Sequence, residues 1–402
     1  MKTAAIIGIS HYARHHLLMA LEQMLQGRLR LVAATVVNQE EEAFFCQRLR
    51  GLGCEIFADP AAMWEKFTGR VDLCFIPTGL HLHAAMTLQA LQCGANVLVE
   101  KPLAASLVQA DAIRQLECQT GRFVAVGFQD LYTDSTWDIK KLLLEGGIGQ
   151  LRHISLVGLW PRPAAYYARN DWAGRLSRDG QPVLDSPINN AFAHFLNLAL
   201  FWAGPDPAAS ARIGQVECEL YRTQAIESFD TCCARVALSG GVQLRFYVTH
   251  SCHEERVPRL RLEGSRGALE WEQESHYKVL RLARPAEQHP VPGKFETKLM
   301  MADAVLARLE GRPARLCTTA IAREHTRLIE TIHATAAITP VGPRYLRRRE
   351  TTTGKWTELR GIEIASDQAD TQKCLWSELG TPWAQRAVTC LPPLEPAVKT
   401  GS

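Results

Sequence analysis

No stretch of this 402-residue chain is apolar for long enough to span a bilayer, no CxxC pair occurs among its twelve cysteines, and no block of like charge exceeds a triplet. Each absence excludes a class. A membrane-spanning helix needs about 20 apolar residues, and a zinc finger or ribbon needs closely spaced cysteine pairs, so neither a membrane partner nor a metal site is expected. With a formal net charge of +3 there is no basic stripe for nucleic acid or an anionic surface. The longest basic run, Arg347-Arg348-Arg349, reads as a solvated turn or a single anion contact. Cys74 and Cys93 lie inside apolar runs and read as small buried hydrophobes, a usage that fits a reducing cytoplasm. Met1-Lys2 runs directly into the short apolar segment Ala4 to Ile7, so no secretory leader is expected.

What is present is globular. A hydrophobic content of 47% against 22% charged residues is that of a soluble folded protein, and the length suggests two domains with an appendage. The most informative stretch is Val97-Leu98-Val99-Glu100-Lys101-Pro102, where three aliphatics make a buried strand and charge arrives at its carboxyl end. Pro102 keeps Lys101 out of a helix and presents it beyond the strand. Ligands of open α/β sheets bind at that edge. Taken alone, a surface ion pair is the better explanation of a Glu-Lys pair.

Reading from the start, Ala4 to Ile7 is a strand, Gly8-Ile9-Ser10-His11-Tyr12-Ala13 a turn, and Leu17 onward a helix, the order that opens a dinucleotide-binding fold. The glycines are eroded: Gly8, Ser10 and Ala13 stand for G-x-G-x-x-[GA], with His11 at the rim. Asn38 follows the second strand where such folds place an acid for the adenosine ribose. It can bond a 2′-hydroxyl, and Glu40, Glu41 and Glu42 lean against a 2′-phosphate, so NAD is favoured without excluding NADP. Strands and helices then alternate through Phe128, which predicts a parallel, doubly wound sheet. Beyond Gly149 strand-like segments dominate, from His153 to Trp160 through Ala268 to Glu270, and predict a largely antiparallel sheet. A helix is expected over Asn189 to Trp202 and two more over Phe295 to Leu309 and Ala320 to Ala336. From Thr339 the Pro, Gly, Arg and Thr content reads as an extended arm with little core of its own.

The Glu100-Lys101-Pro102 stretch, preceded by Thr78 to His83 and followed by Asn190-Ala191-Phe192-Ala193-His194-Phe195-Leu196-Asn197, resembles the Gfo/Idh/MocA family. The resemblance covers roughly the first 340 residues. It implies an α/β fold with an N-terminal Rossmann domain over 1–128 and a C-terminal α+β domain with a large open sheet over 129–340, leaving 341–402 as an extension. It also implies NAD(P)-dependent hydride transfer to or from a secondary hydroxyl of a sugar, sugar acid or cyclitol, and a homodimer or homotetramer. Lys101 would contact the reacting hydroxyl and the nicotinamide ribose, with the Lys101-Pro102 bond cis. His194 matches the family's acid/base histidine. Thr78, His83, Glu100 and Gln129 join Gly8, Ser10, His11, Tyr12, Ala13 and Asn38 in the cofactor set.

The chain departs from the family four residues before His194, where Asn190 replaces the usual aspartate, and again at Asn197. An amide orients without supplying charge. Either Asp185 folds back to serve instead or the proton passes between Lys101 and His194 alone, and Tyr167 is a further candidate for the proton relay. Trp160, Arg162, Arg169 and Trp172 belong to the densest aromatic and basic cluster, which reads either as a loop packed over the sheet or as a sugar platform whose arginines read an acid group. His194 likewise reads as a core histidine or as a catalyst. Two other functions share these residues: an NAD-dependent glycoside hydrolase working by transient oxidation at C3, and a ligand sensor without turnover.

Overall fold

The computed structural model describes residues 1–392. The chain divides into two compact units, Met1–Asp138 with Pro292–Arg323, and Ile139–Val291 with the chain from Glu324 onward. The excursion of 292–323 back into the first unit has no signal in composition, because a helix that completes a distant layer looks like any other amphipathic helix.

In the first unit β1 (Lys2–Ile7), α1 (Ala13–Leu25), β2 (Leu29–Thr35), α2 (Ala43–Gly51), β3 (Glu55–Phe57), α3 (Pro60–Phe67), β4 (Leu73–Ile76), α4 (Leu80–Gln92), β5 (Asn96–Val99), α5 (Leu107–Thr120) and β6 (Val124–Val126) alternate. The strands form a parallel sheet in the order β3-β2-β1-β4-β5-β6. Helices cover both faces, so β5 is buried at every position: Asn96 is satisfied by the Asp72 carbonyl and the Phe123 amide, and Val97 to Val99 are aliphatic. Strand order reverses between β1 and β4, which opens a crevice at their carboxyl ends. Asp59 and Ser106 cap α3 and α5 by accepting from the Ala62 and Gln109 amides.

The rest of the chain supplies α6 (Asp134–Leu144), β7 (Leu151–Leu159), α7 (Ala164–Tyr167), the two-residue pair β8 (Ser177–Arg178) and β9 (Gln181–Pro182), α8 (Ala193–Trp202), β10 (Ile213–Arg222), β11 (Thr231–Leu238), β12 (Gln243–Thr249), β13 (Arg256–Gly264), β14 (Gly267–Glu272), β15 (His276–Arg281) and β16 (Glu287–Pro290). After α9 (Lys294–Leu309) and α10 (Thr319–Thr335) come β17 (Ile338–Pro340), β18 (Leu346–Thr351), β19 (Gly354–Leu359), α11 (Ile362–Gln372) and β20 (Val388–Cys390). The large sheet runs β16-β15-β14-β13-β7-β12-β11-β10-β17, with β20 also on β10. Among the described residues only the β7–β12 and β10–β17 pairs of this sheet are parallel.

One face of β7 meets the segment leading into α8. Gly158 is required there, since a Cβ would stand 2.4 Å from the Phe192 ring. Gly158→Ala is expected to cost about 1–3 kcal/mol by overpacking, read as a lower denaturant midpoint at unchanged slope.

The opposite face is covered by the segment expected to be an arm, and that expectation is corrected here. Leu159, Tyr221, Cys233 and Tyr247 of the sheet share one buried cluster with Leu346, Leu359, Ile362, Leu375, Trp376 and Trp383. Tyr247 donates its hydroxyl to the Cys374 carbonyl at 2.6 Å. The apolar residues of this segment are spaced singly among Arg, Thr and Gly, so no run or period announces the core they build. Residues 393–402 of the expected extension lie outside the described residues.

Lys140 fixes the end of α8. Its ammonium, 1% exposed, donates to the carbonyls of Phe201 at 2.5 Å and Gly204 at 2.7 Å. Burial brings its pKa down from 10.5 to about 8. Between those values the unfolded chain binds a proton that the folded chain has released, so stability rises with pH across that window. Lys140→Met is expected to cost about 1–3 kcal/mol by stranding the carbonyls, and to flatten that rise in a thermal-denaturation series.

Candidate active site

In the first unit the turn after β1 turns on Gly8, whose φ of 90° favours a residue without a side chain. A Cβ on Gly8 would meet Thr78 Cγ2 at 3.9 Å, so the loops after β1 and β4 adjoin. Thr78 Oγ1 is buried and has no partner among the described residues. Ser10 donates to Asn38 Oδ1 at 3.1 Å, and Asn38 donates to Glu41 Oε2 at 2.8 Å. Asn38, in the loop after β2, is thereby tied to the glycine turn, with Glu41 adding negative charge that opposes a 2′-phosphate while Glu42 is paired with Arg14. His11 also has a positive φ, 49°, in the turn, and Ala13 opens α1.

His83 lies in the first turn of α4, 1% exposed, with Nδ1 2.7 Å from the Pro102 carbonyl and Nε2 3.0 Å from that of Thr78. Burial lowers its pKa against the opposing pull of those two carbonyls, so the ring is neutral with one proton. That proton can serve either the Pro102 or the Thr78 carbonyl. His83 thus braces the loop that carries Lys101.

Glu100 is 5% exposed and anchors the same loop. His16 Nε2 lies 2.8 Å from Oε1, and the Lys101 amide donates to Oε2 at 3.0 Å. A side chain on Gly127 would press on this carboxylate at 3.0 Å. Tyr12 is 42% exposed, yet its hydroxyl reaches Glu100, and burial followed by that negative charge drives its pKa up. Lys298 of α9 lies 4.9 Å over the Tyr12 ring, its pKa brought down to about 8 by burial although Glu100 opposes the shift. The Lys101-Pro102 bond is cis, and Lys101 itself is half-buried at the carboxyl end of β5. Gln129 is buried at the start of the short turn after β6. Neither His16 nor Lys298 carries a signal in the sequence, and Lys298 reaches the turn from nearly 300 residues away.

The second unit gathers the other candidates. Asn190 is not on the helix, as its spacing from His194 suggested. It sits in the preceding turn with its amide donating to the Ser186 carbonyl at 3.0 Å, and α8 begins at Ala193. Asn190 Nδ2 donates to Asp185 Oδ1 at 3.0 Å, and the Gly174 amide donates to Oδ2 at 2.6 Å. A carboxylate therefore stands beside Asn190 after all, supplied by Asp185, which is 4% exposed. His194 is half-buried in the first turn of α8, while Asn197 is fully buried three residues on.

Trp160 stacks on Phe192 with ring centres 5.0 Å apart. Arg162 lies 5.3 Å from the Tyr166 ring and 5.4 Å from Trp160, and Arg169 lies 3.7 Å from Tyr166 and 5.3 Å from Trp172. Cations and rings alternate in one ladder. Tyr167 Oη is 3.0 Å from His250 Nδ1, a contact no motif announced. Burial, then the charge of Asp230, drives the Tyr167 pKa well above its ordinary value, so the phenol is protonated at neutral pH.

Among the described residues no group of three or more His, Cys, Asp or Glu side chains is placed to hold a metal ion, and no helix is long and apolar enough to cross a membrane. Residues 2–128 match a family described as an oxidoreductase family with an NAD-binding Rossmann fold, and residues 136–270 match the GFO/IDH/MocA C-terminal domain. Over 45% of its length the chain is 26% identical to a dTDP-3,4-didehydro-2,6-dideoxy-alpha-D-glucose 3-reductase of Streptomyces antibioticus, covering 52% of that protein. Over 36% it is 30% identical to an inositol 2-dehydrogenase of Klebsiella pneumoniae, covering 42% of that protein. The matches thus span about half the length of these relatives or less. The fold is similar to that of the WlbA dehydrogenase of Bordetella pertussis, solved with NADH and UDP-GlcNAcA, at a TM-score of 0.69 and 18% identity over 83% of this chain and 96% of that one.

Proposed function

The chain belongs to the GFO/IDH/MocA oxidoreductase family, with its NAD-binding Rossmann domain, and from that premise we propose that it moves a hydride between NAD(P) and a secondary hydroxyl of a sugar, sugar acid or cyclitol. The observation that carries this reading is Lys101 at the carboxyl edge of a parallel sheet, on a loop held by the Glu100 carboxylate. Relatives named as an inositol dehydrogenase and a sugar-nucleotide reductase support the substrate class. They favour neither the hydrolase nor the sensor.

The first unit fits a dinucleotide. Gly8 leaves room for close backbone approach, and the buried Thr78 hydroxyl beside it has a hydrogen bond to give. Gly8, Ser10, Tyr12, Asn38 and Thr78 are the residues we assign to holding it. When bound, NAD(P) accepts or delivers the hydride. Lys101 is assigned to the substrate oxygen, where an ammonium stabilises developing alkoxide charge. His194 is assigned the hydroxyl proton, a task suited to imidazole near neutrality. Asp185 acts through Asn190 to orient this region. The Trp160 to Trp172 ladder offers ring faces for a sugar and guanidinium groups for a carboxylate.

Mixing the protein with NAD or NADP and a panel of sugars, sugar acids and cyclitols should raise the reduced-nicotinamide absorbance for at least one. Binding of nucleotide without oxidation of any member, or reduction of any corresponding ketone, would remove the proposal.

A further inference from the structure

His250 stands at the carboxyl end of β12, 2% exposed, among the rings of Tyr166, Tyr167 and Phe192. Its backbone is held on both sides: its amide donates to the Asp230 carbonyl at 2.8 Å, and its carbonyl accepts from the Arg162 amide at 2.9 Å. The rings of Tyr166, Tyr167 and Phe192 pack around the imidazole, and its contacts bear on which nitrogen carries the proton. Burial and the positive charges of Arg162 and Arg169 push its pKa well down, so it is neutral and has a single N–H. Nε2 is buried with no partner among the described residues, whereas Nδ1 faces the Tyr167 oxygen at 3.0 Å. A proton on Nε2 would be a buried donor without an acceptor, the costlier of the two arrangements. A proton on Nδ1 has the phenol oxygen to go to and leaves only a bare lone pair.

We propose that His250 is a positioning residue whose Nδ1–H donates to Tyr167 Oη, so that the phenol's own O–H is left to donate to an oxygen of the bound sugar or cyclitol. The opposite arrangement would spend the Tyr167 hydrogen on the histidine. Asn170, which accepts from the Trp172 and Ala173 amides, fixes the loop that follows Tyr167, and Gly174 leaves room for the Tyr167 ring, whose Cδ1 would lie 3.1 Å from a Cβ there. The hydroxyl is thus held from its ring and from its oxygen. This inference rests on the oxidoreductase reading for the identity of the ligand, but the placement of the proton does not.

The direct test is nitrogen NMR of the full chain labelled with ¹⁵N-histidine, with His250 assigned by its loss in His250→Asn. A neutral ring protonated on Nδ1 is expected; protonation on Nε2, or on both nitrogens, overturns the proposal. The second test is kinetic. His250→Leu should lower kcat by about 10- to 100-fold, since misplacing a positioned group by about 1 Å can cost about 10²-fold, with nucleotide affinity unchanged. His250→Asn, whose side-chain N–H can stand where Nδ1–H stood, should recover most of the loss. Equal losses in both variants at equal folding stability would assign His250 a structural role only. If the wild-type protein turns over no member of the panel, the oxidoreductase reading fails while the tautomer measurement still decides the hydrogen bond.

Discussion

Lys101→Met is expected to lower kcat/KM by about 10²- to 10⁴-fold, the range associated with losing a positioned proton-handling or charge-stabilising group, while NAD affinity changes little. The substitution keeps a long aliphatic stem and removes only the ammonium. Its loop is held by groups the mutation leaves intact: Glu100 bonds the Lys101 amide, His16 bonds Glu100, and His83 bonds the Pro102 carbonyl. A loss confined to turnover would therefore report the ammonium and not a collapsed loop. Parallel calorimetric titration with NAD separates the two, and unchanged turnover would take Lys101 out of the mechanism.

Trp376→Ala should have the largest effect on stability, about 3–5 kcal/mol for truncating a buried aromatic. Trp376 is fully buried, 5.4 Å from the Trp383 ring and 6.1 Å from those of Tyr221 and Tyr247. It connects the late segment to one face of the large sheet, and without that cover the sheet would expose Tyr221, Tyr247 and Leu159. A denaturant titration following a second-unit probe measures the cost, with NAD affinity as the internal control for the first unit. A shift below about 1 kcal/mol would mean that the aromatic cluster contributes little packing energy.

The parts legible in the sequence are those written locally. Strands β1 and β5 end in apolar runs, Ala4 to Ile7 and Val97 to Val99, because those positions are buried, and Glu100-Lys101-Pro102 is conspicuous because charge follows such a run. Asn190 misled because its spacing is helical, whereas the backbone there is set by contacts that periodicity cannot show. Pro187 has no N–H, Leu184 has a φ of 52°, and Asn189 donates to the carbonyls of Val183 and Leu184 at 3.3 and 3.1 Å, so short polar side chains compete the helix away. The same fold brings Asp185 to Asn190, a pairing that the sequence offered only as one option. His250 and Lys298 were illegible for a different reason. Each is a single residue whose partners lie at sequence distances that no motif spans, Tyr167 being 83 positions away in the first case. The late segment hid its core by scattering it.

Hydride transfer to a secondary carbon is the central claim, and isotope transfer measures it most directly. The protein would be incubated with C4-deuterated NADH and a panel of keto-sugars, keto-sugar acids and cyclic ketones of cyclitols, and the products analysed by mass spectrometry and NMR. Deuterium fixed on the new carbinol carbon, one per molecule, is the predicted result; products without that label, or label appearing only in water, would contradict the account.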